Sequence, residues 1–171
     1  MKFAKIILAM ASLLVLAGCT THKPAEANVE NVPFQVAKNY FFKNGQTLPA
    51  SPKITTAEAF DQLFGMAAFM GKDGQPTPID FDKQFAIAVV LPETNHSTEL
   101  HAESLTDDGK KLIFSYHVDV APTENTWTQV PMLLIFVDRQ YERDQVELHS
   151  DFMTDISGTW QVRAFDDTML T

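Results

Sequence analysis

Two runs of the sequence contain no polar residue across most of their length, and they constrain the fold more than anything else in it. Residues 85–91 read Phe-Ala-Ile-Ala-Val-Val-Leu, bounded by Pro78 and Pro92, and residues 130–137 read Val-Pro-Met-Leu-Leu-Ile-Phe-Val. Both are too short for a typical helix and rich in β-branched and aromatic side chains, so both predict strands. A strand sends alternate side chains to opposite faces of its sheet, so a strand with no polar face must be covered on both sides. Pro131 falls near the start of its run, where a missing amide is tolerated.

Around these two, the pattern predicts an α+β domain. One antiparallel β-sheet of six to seven strands is expected, with one main helix at about residues 55–70. Thr55 and Glu58 have capping-box spacing, and Ala59, Phe60, Leu63, Phe64 and Ala67 follow on one helical face. Gly71-Lys72-Asp73-Gly74 ends that pattern. Residues 34–42 predict one strand, 145–148 and 160–165 two more, and 151–156 a short helical turn.

Residues 100–105 and 112–120 flank Asp107-Asp108-Gly109, which predicts a hairpin with a three-residue loop. Paired residue numbers then sum to 216. Leu100, Ala102, Ser104, Leu112, Phe114, Tyr116 and Val118 form the core face. His101, Glu103, Ser115 and His117 lie on the wet face, with the two histidines diagonal to each other.

The N-terminus carries a separate signal. Lys2 and Lys5 precede an apolar stretch of residues 6–17, interrupted only by Ser12. A membrane span needs about 20 apolar residues, so this one has the length of a secretory signal. It ends in Leu16-Ala17-Gly18-Cys19, which resembles the lipobox of bacterial lipoproteins. That resemblance implies cleavage after residue 18 and acylation of Cys19. Residues 19–33 then read as the acylated cysteine and a flexible tether with Pro24 and Pro33, and residues 34–171 as a single domain. Thr20 stands in place of Asp after the cysteine, which under the sorting rule for such lipoproteins implies the outer membrane. The acid-rich run that takes some of them to the cell surface is missing from residues 20–25, which leaves the periplasmic face as the expected side.

Cleavage removes two lysines and no acid, so the formal net charge of −9 becomes −11. Nothing in that balance would neutralise phosphates, so nucleic acid is excluded as a partner. Lipid is reached through Cys19 instead. Cys19 is the only cysteine, so the fold holds without disulfides and no thiol chemistry remains. No cofactor is implied.

Residues 40–146 resemble the PrcB-like lipoproteins, a family named for an accessory subunit of a bacterial surface protease complex. The landmarks are Ala57-Glu58-Ala59-Phe60-Asp61-Gln62-Leu63-Phe64, then Ile79-Asp80-Phe81-Asp82-Lys83, then the apolar run 85–91. A Thr-Gln and a Pro follow ahead of the strand within residues 126–137. Pro92-Glu93-Thr94-Asn95-His96 stands where the family carries a Gly-rich turn. The resemblance implies a non-catalytic domain that docks on another protein.

Candidate chemistry is sparse. There is no G-x-S-x-G nucleophile turn and no HExxH, and the seven glycines are dispersed rather than gathered into a phosphate cradle. Asp80 with Asp82, Asp107 with Asp108 and Asp166 with Asp167 are each accounted for by local turns. No catalytic residue and no metal site is assigned. His101 and His117, with Glu99, Glu103 and Asp119 nearby, are the only metal candidates, and a solvated sheet face explains them as well. The expected interaction edge lies in two loops, residues 92–97 with Asn95 and His96, and residues 121–129 with Glu124, Asn125 and Trp127. Trp127 is either an interface anchor or a core residue. The function expected is a membrane-anchored envelope lipoprotein that binds another protein, with a small-ligand or glycan-binding lipoprotein as the alternative.

Overall fold

A computed structural model describes residues 29–154. The two apolar runs become adjacent antiparallel strands, β6 (Gln84–Val90) and β9 (Met132–Asp138), paired from Gln84↔Asp138 to Val90↔Met132. They are the centre of a four-stranded sheet flanked by β2 (Phe34–Val36) and β4 (Lys53–Ile54), in the order β2-β9-β6-β4.

The strand period then divides the core in two. Phe85, Ile87, Val89, Leu133, Ile135 and Val137 point to one face, and Ala86, Ala88, Leu134 and Phe136 to the other. The first face packs on a second four-stranded sheet, ordered β1-β7-β8-β10. Its members are β1 (Glu30–Asn31), β7 (Thr94–Asp107), β8 (Lys111–Gln129) and β10 (Gln145–Thr154). Leu105, Leu112, Phe114, Tyr116 and Val118 supply its side of the interface. Phe114 is fully buried and meets Phe34 edge-on with ring centroids 5.9 Å apart. The second face packs on helix α1 (Ala57–Leu63) and a two-stranded sheet of β3 (Tyr40–Phe42) and β5 (Phe64–Met66). The small Ala86 and Ala88 leave room there for Phe60, Phe64 and Phe136, with the Phe60 ring centroid 5.1 Å from that of Phe64 and 6.0 Å from that of Phe136. Fully burying such a ring contributes about 2–3 kcal/mol.

The α+β class therefore holds: mostly strand, with one α-helix. The single antiparallel sheet of six to seven strands does not, because the described residues form ten strands in three sheets. One pairing is also parallel, β10 beside β8. It runs that way because the chain crosses from β9 in one sheet to β10 in the other through a 3-10 turn at Arg139–Tyr141. Residues 151–154 continue β10 rather than forming a helical turn.

The helix is shorter than the apolar period suggests. Its N-cap is Thr56, whose Oγ1 accepts the Ala59 amide at 3.2 Å, not Thr55. It stops at Leu63 because Phe64 and Met66 find ladder partners in Phe42 and Tyr40. The expected strand at 34–42 is split. Asn39 adopts φ +63, which turns the chain from β2 in one sheet to β3 in another. The folded domain also takes in residues before 34. Glu30 and Asn31 pair with Asp107 and Thr106, and Val32 is 4% exposed. The expected signal segment, Cys19, most of the expected tether and the strand expected at 160–165 lie outside the described residues. No helix among the described residues is long and apolar enough to cross a membrane.

Candidate functional site

The β7–β8 hairpin carries nearly all the candidate residues. Its turn has two central residues, not a three-residue loop. Asp108 donates its amide to Lys111 O at 3.2 Å, and Gly109 sits at the first central position with φ +86. A left-handed residue there is what this tight turn requires, and glycine supplies it without steric strain. Asp108 Oδ1 accepts the Lys110 and Lys111 amides at 2.8 and 2.9 Å, and these bonds hold its carboxyl below the usual carboxylate range.

This turn changes the register. Asp107 pairs with Leu112, Leu105 with Phe114 and Ser104 with Ser115. A bulge between Ala102 and Ser104 then removes Glu103 from the ladder, and beyond it Ala102 pairs with Tyr116, His101 with His117 and Glu99 with Asp119. The expected sum of 216 is corrected to 219 near the turn and 218 beyond the bulge. Ser104 is not a core residue; the bulge changes the strand's phase, so Leu105 and Asp107 turn inward in its place.

His101 and His117 are consequently opposite each other, not diagonal. His117 Nε2 lies 3.0 Å from Asp119 Oδ1 and His101 Nε2 lies 3.2 Å from Asp119 Oδ2, with Glu99 Oε2 3.7 Å from His101. On the neighbouring strand, Asp151 is level with His117 and His149 with Ser115. His149 Nε2 contacts Glu147 Oε1 at 2.6 Å. Glu147, tied first to Lys111 and then to His149, is held below the usual carboxylate range. As the side chains stand, no group of three or more His, Cys, Asp or Glu among the described residues is arranged to hold a metal ion.

The two expected interaction loops are largely strand. β7 begins at Thr94 and β8 runs on to Gln129, so only Pro92 and Glu93 remain outside the first segment and nothing remains of the second as a loop. The ladder nonetheless brings their residues together. His96 pairs with Glu124, its Nδ1–H donates to the Ala121 carbonyl at 3.0 Å, and its Nε2 is 4.0 Å from Glu124 Oε1. Gln129 Nε2 donates to the carbonyls of His96 and Thr98 at 3.0 and 3.2 Å. Thr128 Oγ1 bonds to the Glu93 carboxylate. Between Glu124 and Gln129 the strand arches away from its partner, which advances only from His96 to Thr94. Asn125 Nδ2 is buried in this arch with no hydrogen-bond partner among the described residues. Trp127 is 52% exposed, so it is not a core residue, and Asn95 is half-buried.

One surface feature is absent from the sequence reading. Phe41, Met66, Phe69 and Met70 are all exposed on the small β3–β5 sheet and the turn after it, Met70 almost completely. Phe41 and Gly65 are ladder partners, and the Phe41 ring lies over Gly65 in the space a larger side chain would fill. A signal was available: the apolar pattern of residues 66–70 runs past the point where Gly65 interrupts the helical face. Next to Phe41, an open cleft of about 410 Å³ is bounded by Tyr40, Phe42, Glu93, Thr128 and Met132.

Compared with protein-family models, curated proteins and solved structures, the chain matches none.

Proposed function

We propose that this chain is an envelope lipoprotein anchored in the outer membrane through acylated Cys19, on the periplasmic side. Its folded part is a non-catalytic module that binds another protein. In the manner of the PrcB-like lipoproteins it resembles, the partner is an envelope protease that the module accompanies. The observation that carries the binding reading is the exposure of Phe41, Phe69 and Met70, with Met66 exposed on the opposite face of the small sheet from Phe41. Large apolar side chains gathered on a surface mark contact sites, and aromatic and methionine side chains are enriched in interfaces. Trp127, exposed in the arch of β8 that follows Glu124, is a second anchor of the same kind.

The test is affinity capture from cross-linked native envelopes using the full-length chain. Phe69→Ser with Met70→Ser should lose a stoichiometric partner that the parent retains, while the thermal midpoint stays within about 2 °C. Cys19→Ser should move the protein from the membrane to the soluble fraction. Equal recovery by parent and patch variant would refute the docking surface. Unchanged membrane fractionation of Cys19→Ser would refute the anchor.

A second reading, small-ligand or glycan binding, is favoured by the cleft beside Phe41, where aromatic rings meet the Glu93 carboxylate. Saturable binding of a soluble saccharide, lost in Glu93→Ala and kept in the Phe69/Met70 variant, would select it.

A further inference from the structure

Two rungs of the β7–β8 ladder, separated by the inward-facing Leu100–Val118 rung, present four metal-ligating side chains to solvent on one face: His101 opposite His117, and Glu99 opposite Asp119. Directly opposed residues hold their Cβ atoms about 5 Å apart and diagonal ones about 7–8 Å, within reach of side chains as long as these. The two imidazoles already reach one carboxylate, although no three donors converge on a single point as the side chains stand. Zinc binds imidazole nitrogen at about 2.0 Å and carboxylate oxygen at about 2.1 Å, which separates neighbouring donors of a tetrahedral shell by about 3.3 Å. His101 Nε2 and His117 Nε2 lie 3.2 and 3.0 Å from the two oxygens of one carboxylate, Asp119. We propose that His101, His117, Asp119 and Glu99 form a cross-strand site for a borderline divalent transition cation, Zn²⁺ in particular.

The side chains now bond to one another, each Nε2–H directed at carboxylate oxygen. Binding exchanges those bonds for metal bonds. Each imidazole gives its Nε2 lone pair to the cation and carries its proton on Nδ1, and the carboxylates neutralise the charge. Two nitrogen donors select against Mg²⁺ and Ca²⁺, which take oxygen. The backbone already fixes the four Cα positions, so closure needs only rotation about side-chain bonds. The site is open, with Glu99 and Asp119 side chains 74% and 60% exposed, while His117 is 18% exposed and anchors it.

This inference stands apart from the protein-docking reading, because the two surfaces share no residue. The probe is Zn²⁺ alone, titrated into the full-length chain in detergent against a chromophoric chelator. One equivalent should bind at pH 7.5. His101→Ala and His117→Ala should each weaken it at least about ten-fold, since each removes a direct ligand. His149→Ala, on the next strand and outside the quartet, should not. Zn²⁺ should raise the thermal midpoint of the parent and leave that of a folded His101→Ala/His117→Ala variant unchanged. Absence of saturable uptake, or uptake that survives in that double variant, would overturn the proposal.

Discussion

Asp107 offers a test of the frame that holds the hairpin. The bulge turns this carboxylate inward, and only 6% of its side chain is exposed. Its Oδ1 accepts the Gly109 amide at 2.8 Å and Arg143 Nε–H at 3.1 Å, while Arg143 Nη2 holds Oδ2. One residue thus ties the tight turn to the segment that leads into β10. The partners are not equivalent, because the Arg143 side chain is 33% exposed. Removing Arg143 leaves a buried carboxylate with a single backbone donor. In a fully buried pair that loss costs about 3–5 kcal/mol, and solvent around the guanidinium reduces it to about 2 kcal/mol here. Asp107→Asn instead keeps an acceptor for Gly109 and leaves a cation that can turn towards water, at about 1 kcal/mol. The asparagine background has no buried charge left to strand, so Arg143→Ala should add little there. That gives a coupling of about 2 kcal/mol. The assay is thermal and urea unfolding of the full-length chain, single and double variants together. Arg143→Ala should lower the midpoint by about 6–8 °C, roughly twice the effect of Asp107→Asn. Equal losses from the two single variants, or strict additivity in the double, would refute the asymmetric burial argument.

Two further outcomes follow from local geometry. Thr56→Ala should destabilise the domain by about 1 kcal/mol through the lost helix cap, while Thr55→Ala should cost clearly less, which paired melting curves will show. The pH dependence has two flanks. Asp80, Asp108 and Glu147 have folded values below their ordinary ones, held first by Lys83, by the Lys111 amide and by Lys111 respectively. What they contribute is present above the ordinary carboxylate range and is lost as pH falls through the depressed folded values. Burial raises Tyr116 and Tyr40, so on the alkaline side stability is intact below the ordinary tyrosine value of 10.0 and falls as pH rises towards the raised ones. Midpoints measured across pH should therefore form a plateau through neutrality, and a steady rise from pH 6 to 10 would contradict these assignments.

Much of the core was legible because it rests on strand period alone. Residues 85–91 and 130–137 are apolar at every position that the two-sided packing demands, and the fold places a layer on each face of them. The even residues of β8 from Leu112 to Val118 line the core as their alternation implies. What the sequence concealed is long-range. Nothing local tells residues 64–66 to leave the helix for a strand, since their partners lie at 40–42. Nothing in residues 145–154 shows that they run parallel to β8, because that follows from a crossing between sheets.

The candidate site lies between these cases, and register decides its chemistry. With a three-residue turn, His101 faces Ser115 and His117 faces Glu99, and the histidines belong to a solvated surface. The two-residue turn at Gly109 moves the pairing by three, and without the bulge this would set His101 opposite Val118. Only the turn and the bulge together place imidazole opposite imidazole and carboxylate opposite carboxylate. The phase change that marks the bulge is present in the sequence, where the inward positions Leu100 and Ala102 give way to Leu105 and Asp107. An odd spacing between inward residues on a long strand is thus the local sign that a polar face must be read in two registers before its chemistry is judged.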